Sequence, residues 1–368
     1  MCRRTLITAL DSPTEERSDS TLYTDFASDV RWVKDRIRSD LQMLPLAMQG
    51  VARHYVAQRV KVLHAQDFSS PTHPLSPRPI PYFAFWFAEA FGLRDAERRF
   101  LGLSLAYVVL SSSPRDDLAD GSDFAPYELS YLAAWFWERH FCAFKRLFPR
   151  ESPIWYLLAK STADWGRSER WELCQDGETT ADPFSAASLL HASRYLAAMT
   201  FPTLAGAALL RDEAKKLRAV KRFVCNYCMG WRILDDLRDW REDLEANTAS
   251  SCILTFMRKR ARLPKGEPLT RELGVSLLTD EAVVSEIYSA MTKFCLAARR
   301  EADRLRASFV TEFIDEQLLG YDAELKRIRA EKVKFKNSLA QLLELDAGAS
   351  KRVPNPHPRE KPARGGKA

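Results

Sequence analysis

The sequence predicts an all-α chain folded as a single-domain helical bundle, and three observations predict it. Glycine is scarce, 14 residues in 368, while Ala, Leu, Arg and Glu, the stronger helix formers, are plentiful. Apolar residues recur at helical spacing along most of the chain. No run shows sustained strand-like alternation flanked by turn signals, and no repeat of fixed period occurs. Hydrophobic residues make up 46% of the chain, enough to bury a substantial core.

Taken in order, residues 1–21 are polar, carry mixed charge and lack an apolar signal core, so they are expected to be disordered. The helical domain is expected over 22–346 and a basic, disordered tail over 347–368. Val30, Val33, Ile37, Leu41 and Leu44 form a first apolar stripe, and Pro45 opens a second helix running to about His64. Five prolines in 68–81 demand an extended connection. Tyr82–Phe91 is almost wholly apolar and closes on Gly92 as a helix cap. Asp95 is the expected N-cap of a helix through Leu101–Leu110 towards Asp116. Pro114 should interrupt that helix, with Ser113-Pro114 restarting it. Further helices are expected over about 125–148, 153–172 and 183–211, with Ser152-Pro153 and Asp182-Pro183 as caps. A long pattern follows over 213–245, then a short segment near 251–260, and two last helices over about 279–308 and 310–345.

The net charge of +6 raises the question of nucleic acid, but its location answers it. Lys351, Arg352, Arg359, Lys361, Arg364 and Lys367 against Glu360 put +5 in the tail and leave about +1 for the rest. Nucleic acid is therefore not an expected partner. Seven scattered cysteines, an odd number, point to reduced thiols and a cytoplasmic setting. Cys225 and Cys228 have redox or zinc spacing, but no second pair follows, and packing is the expected role. The longest uncharged stretch, Tyr195–Leu210, is shorter than the roughly 20 residues that span a bilayer, so no transmembrane segment is expected.

Two acidic segments carry the chemistry. In Asp235-Asp236-Leu237-Arg238-Asp239, continued to Asp243, the acids Asp235, Asp239 and Asp243 recur every four residues. Each step turns about 40° around a helix, so they line one face with Asp236 beside them. That much like charge destabilises a helix unless a divalent cation offsets it, and magnesium takes one or two protein carboxylates together with water and substrate phosphates. Asp116, Asp117 and Asp120 repeat the pattern. Each cluster sits at the end of a very apolar helical segment, an unusual place for charge that serves solubility alone. Above Asp235 lie Trp231, then Tyr227 or Cys228, and Val224; above Asp116 lie Ser112, then Val108 or Val109, and Leu105. These stripes can line a pocket for a hydrocarbon, with ring faces that steady a cation, or can be plain core packing.

The stretch Gly230–Asp243 resembles the second aspartate-rich motif of the class I isoprenoid synthases, both the DDxxDxxxD form of the trans-prenyl diphosphate synthases and that of the squalene and phytoene synthases. Asp116–Asp120 then matches the first DDxxD motif of that superfamily, 119 residues upstream. The resemblance, over roughly residues 82–340, implies a helical bundle with a central apolar cavity. It implies three magnesium ions clamping a prenyl diphosphate, two at Asp116 and Asp120, with Asp117 in hydrogen-bonding support, and one at Asp235 and Asp239. Arg194 stands where the prenyl synthases carry a diphosphate-binding lysine; Arg232 and Arg238 are further candidates for the diphosphate or for pairing with the aspartates. The arginine pair expected after the first motif is missing, and so is a Gly-Lys-x-x-Arg segment that would hold isopentenyl diphosphate. The expected activity is therefore that of a terpene synthase, ionising and cyclising one prenyl diphosphate. A prenyl transferase is the alternative, a non-catalytic partner subunit the second, and a homodimer is the expected assembly of such relatives.

Overall fold

The structure, a computed structural model, describes residues 21–59, 80–120, 124–173, 182–246, 248, 250–264 and 267–350. Among these residues no strand occurs, and the chain is a bundle of helices, as expected. One helical turn at Thr21–Thr24 leads into α1 (Ala27–Leu41) and α2 (Leu46–Arg59). Val30, Val33, Ile37 and Leu41 of α1 are buried, as the stripe predicts, and Leu44 is buried in the turn that follows. The expectations for residues 1–20, 60–79 and 351–368 lie outside the described residues.

Of the proline-rich connection only Ile80 and Pro81 are described, and both belong to the first turn of α3 (Ile80–Ala90) rather than to an extended strand. Proline suits that position because the first amides of a helix have no partner to lose. Tyr82 to Ala88 are all buried, so α3 is wrapped on every side. It ends at Gly92, whose φ of +61° needs glycine, and the Leu93 amide closes on the Ala88 carbonyl at 2.9 Å.

Next comes α4 (Asp95–Asp120), which corrects two expectations. Its start is held by Glu97, whose carboxylate accepts the Arg94 amide at 2.8 Å, and Asp95 is already inside the first turn. Its course continues through Pro114. Proline there removes one ladder bond. The Ser112 and Ser113 hydroxyls bend back onto the Val109 carbonyl, and that of Ser111 onto Val108, which keeps the neighbouring turn hydrogen-bonded.

Then follow α5 (Pro126–Lys145), α6 (Ile154–Leu173) and α7 (Ala186–Leu209). The cap of α7 is Ser185, which accepts the Ser188 amide; Asp182 instead accepts the Phe184 amide at 3.0 Å in the turn before. The long pattern over 213–245 is divided into a 3-10 turn (Ala214–Lys216), α8 (Leu217–Arg238) and α9 (Trp240–Glu245). After α10 (Cys252–Arg260) a short helix that the sequence did not reveal, α11 (Arg271–Leu278), is capped by Thr270. Gly274 lets it approach α9, since a Cβ there would stand 2.6 Å from Trp240. The last two helices, α12 (Glu281–Leu305) and α13 (Ser308–Ser350), turn on Arg306 in the left-handed region. α13 runs on through 347–350, which the sequence assigns to the tail.

α8 packs between α7 and α12, α4 packs against α5, α3 and α1, and α7 touches both α4 and α8. The five described cysteines are free thiols, Cys225 and Cys228 included, and burial pushes the pKa of both upward. No helix among the described residues is long and apolar enough to cross a membrane.

One buried titratable group sits in the α4–α5 seam. His140 is fully enclosed among Trp137, Phe141 and Phe144, with Nδ1 2.8 Å from the Ser104 hydroxyl and 3.1 Å from its carbonyl oxygen. Burial pushes its pKa from 6.5 down to about 4, against a smaller upward pull from the Ser104 carbonyl. A folded pKa below the unfolded one means the unfolded chain takes the proton first. The neutral ring therefore contributes fully above about pH 6.5, and its contribution drains away as pH falls towards 4. Roughly 3 kcal/mol should be lost across that window. Urea titrations of wild type and His140→Gln at several pH values test this: the wild type should show the steeper acid-side decline.

Candidate metal–diphosphate site

The two acidic segments lie at one end of the bundle because of how α7 runs. At its C-terminal end Arg211 donates to the Gly92 carbonyl at 2.7 Å and pairs with Glu97 at 3.1 Å, which places that end beside the start of α4. The chain then turns within 210–216 into α8, and Lys216 lies over the Phe91 ring at 5.1 Å. α4 and α8 therefore start at the same end, both antiparallel to α7, and run parallel to each other. Their direct contact is at most marginal. Asp116–Asp120 and Asp235–Asp239 thus lie at the far end, at the C-termini of two parallel helices.

That is an adverse place for carboxylates, because a helix C-terminus carries partial negative charge and favours lysine or arginine. α8 breaks at Asp239 (φ −93°, ψ 9°), although the Asp239 amide still reaches the Asp235 carbonyl and the Asp243 amide the Asp239 carbonyl. The pKa of Asp239 is pushed up to about 6, first by partial withdrawal from water and then by Asp235, Glu242 and Asp243, with Arg238 opposing. Asp243 is also raised, by burial and by Asp235, while the hydroxyls of Ser251 and Thr248 and the charge of Arg232 hold it down.

The structure sorts the second acidic row into two sets. Asp236 is buried; Arg232 Nε pairs with one of its oxygens at 2.8 Å, and the Cys252 amide donates to the other at 2.6 Å. Burial pushes it up to about 6 despite those partners. Arg232 also donates to the Ser250 hydroxyl at 3.4 Å. Asp236 and Arg232 of α8 and Asp243 of α9 therefore tie that end to the start of α10 and the residues before it. Asp239 stands one turn beyond Asp235, and the charges of Asp235, Glu242 and Asp243 on it outweigh that of Arg238.

In the first segment, Asp117 is buried and accepts a hydrogen bond from the Tyr55 hydroxyl at 2.8 Å. The side chains of Asp116 and Asp120 lie outside the described residues; their backbone belongs to the last turns of α4. Just before them the Arg115 guanidinium lies over Trp165 of α6 at 4.3 Å. Sequence reading missed Tyr55 and Trp165. Each reaches the motif across about fifty residues or more, and neither carries a local pattern.

The other candidates are spread through the bundle. The charge of Arg194 on α7 acts on Cys225, and that of Arg238 acts on both Asp239 and Tyr288 of α12. Leu105, Val224 and Tyr227 belong to the main core, while Val108 packs with Trp165, Ala198 and Met199. Tyr227 meets Phe83 edge-on at 4.7 Å with Phe223 and Phe313 around it. Ser112 is buried with its hydroxyl on Val109, and half-buried Trp231 packs against the core one turn above Asp235.

Compared by sequence, the chain matches no protein-family model and no curated protein. Compared by structure, it is similar to solved enzymes of one kind. A geranylgeranyl pyrophosphate synthetase from the archaeon Geoglobus acetivorans superposes with a TM-score of 0.64 at 14% identity, over 82% of this chain and 99% of that one. A polyprenyl synthase from Caulobacter crescentus, solved with calcium and isoprenyl diphosphate, gives 0.65 at 13%, over 83% and 99%. A geranylgeranyl pyrophosphate synthase from Lactobacillus brevis gives 0.63 at 14%, over 81% and 99%. The chain has the prenyl diphosphate synthase fold. The class I isoprenoid synthase bundle expected from the two motifs is the architecture observed.

The donor set fits a hard, oxygen-seeking cation. Among the described residues no three His, Cys, Asp or Glu side chains are placed to hold a metal by themselves. Magnesium, which shares its shell with water and phosphate, needs only one or two carboxylates from each segment. The two sets of acids should separate in stability measurements without metal. Asp236→Ala leaves the half-buried Arg232 and the Cys252 amide without their carboxylate and should cost about 2 kcal/mol. Asp239→Ala removes repulsion at a helix end and should change stability by less than about 1 kcal/mol, in either direction. Equal losses for the two variants in chemical denaturation would refute the division.

Proposed function

We propose that this chain is a magnesium-dependent prenyl transferase that binds an allylic prenyl diphosphate at the acidic end of the bundle. The observation that carries the reading is the course of α4 and α8, which end at the same end of a prenyl diphosphate synthase fold, each with an acidic segment there. Asp116 and Asp120 on α4 and Asp235 and Asp239 on α8 hold the cations, with Asp117 and Asp236 as supports. Arg194 and Arg238 are the basic groups proposed for the diphosphate, while Arg232 is committed to Asp236. Bound magnesium supplies positive charge against the diphosphate as it leaves. Above the acids, Leu105 and Val108 on α4 and Val224, Tyr227 and Trp231 on α8 supply the apolar wall proposed for the prenyl chain, with the Ser112 hydroxyl turned back onto Val109. That the Caulobacter crescentus fold neighbour was solved with calcium and isoprenyl diphosphate supports a divalent-cation and diphosphate site here.

Transfer is preferred over cyclisation because the neighbours spanned almost end to end are synthases of geranylgeranyl and polyprenyl diphosphates. One feature favours the one-substrate terpene synthase as a second reading. The residues after Asp120 are Gly121, Ser122 and Asp123, where an arginine pair would hold a second diphosphate.

Incubating the purified protein with geranyl, farnesyl and geranylgeranyl diphosphates, with and without isopentenyl diphosphate, separates the readings. A longer prenyl diphosphate formed only with isopentenyl diphosphate and magnesium is the expected result. A hydrocarbon or alcohol from a single substrate supports cyclisation instead. If nothing turns over and magnesium promotes no diphosphate binding, both readings fall. Asp239→Ala should lower turnover by roughly a hundredfold or more while the chain stays folded.

A further inference from the structure

We propose that Tyr55 is a positioning residue of this site: its phenol holds Asp117 and thereby fixes how the end of α4 presents its acids to the cation. The inference rests on the proposed function. Tyr55 is fully buried and donates to Asp117 Oδ2 at 2.8 Å, with Asp117 itself 6% exposed. The bond joins α2 to the last turns of α4 across 62 residues of sequence. The Tyr55 ring is itself set by Phe124, which meets it edge-on at 5.2 Å and leads into α5.

The local backbone explains why such an anchor is needed. Pro114 removes a ladder bond just before the acidic segment, so the last turns of α4 are tied less firmly to the helix behind them. Lateral contacts must then hold the segment in place. Trp165 under Arg115 supplies one from α6, and Tyr55 on Asp117 supplies the other from α2. The chemistry of the partner matters as well. A phenol satisfies one carboxylate oxygen and adds no charge.

The test is calorimetric titration of inorganic diphosphate into the full chain at a series of magnesium concentrations. Tyr55→Phe keeps the ring against Phe124 and removes only the donor. It should raise the magnesium needed for half-maximal diphosphate binding about tenfold, with a melting temperature in magnesium-free buffer within a few degrees of wild type. Asp117→Asn should produce a shift of similar size, and in that background Tyr55→Phe should add less than about twofold. Wild-type binding that Tyr55→Phe leaves unchanged overturns this inference alone. So does a Tyr55→Phe shift that is as large in the Asp117→Asn background, since the effect then does not pass through Asp117. A wild-type chain that binds no diphosphate at any magnesium concentration overturns the proposed function and this inference with it.

Discussion

The acidic end of the molecule depends on one geometric constraint, the antiparallel course of α7 beside both α4 and α8. Arg211 fixes it by joining the end of α7 to the Gly92 carbonyl and to Glu97 at the start of α4. Because the chain enters α8 within a few residues, α8 has to start at the same level and run the same way as α4. Two aspartate segments 119 residues apart in sequence are thereby delivered to one end. Were α7 to cross the bundle at a different level, neither motif would mean anything alone.

The same arrangement concentrates negative charge where helix ends already carry it. At a helix C-terminus the interaction of a carboxylate with the helix dipole is unfavourable by a few tenths of a kcal/mol to about 1 kcal/mol. The burial of α8 between α7 and α12 is what tolerates it; Phe223, Val224, Tyr227, Ile233 and Leu234 are all within the core. The break at Asp239 keeps the amide ladder, and beyond it Asp243 meets Ser251 and Thr248.

Much of this was legible in the sequence. Helix content, the stripe on α1, the cap at Gly92 and the spacing of the second acidic row follow from period and propensity, which act over a few residues. The departures have equally local causes. Asp95 lost its capping role because Glu97 could reach back to the Arg94 amide, and α4 continues through Pro114 at the loss of one ladder bond. The short helix α11 has a weak pattern of its own and depends on Trp240 lying against Gly274. Spacing placed Asp236 correctly on the helix, but its commitment to Arg232 and to the Cys252 amide depends on where α10 begins. Tyr55 was silent for the same reason, since its partner is far away in sequence.

The two acidic segments share a design that neither shows alone. In each Asp-Asp pair the second residue, Asp117 or Asp236, is buried and held by a group from outside its own acidic row: Tyr55 in one case, Arg232 and the Cys252 amide in the other. The first residue of a pair lies about 100° around the helix from the second. When the second is pinned by a group on another element, the Tyr55 phenol of α2 or the Cys252 amide of α10, the carboxylate fixed in the wall opposes rotation of its helix about its own axis. In the proposed function such a pair serves two purposes, one member anchoring the helix and the other meeting the cation.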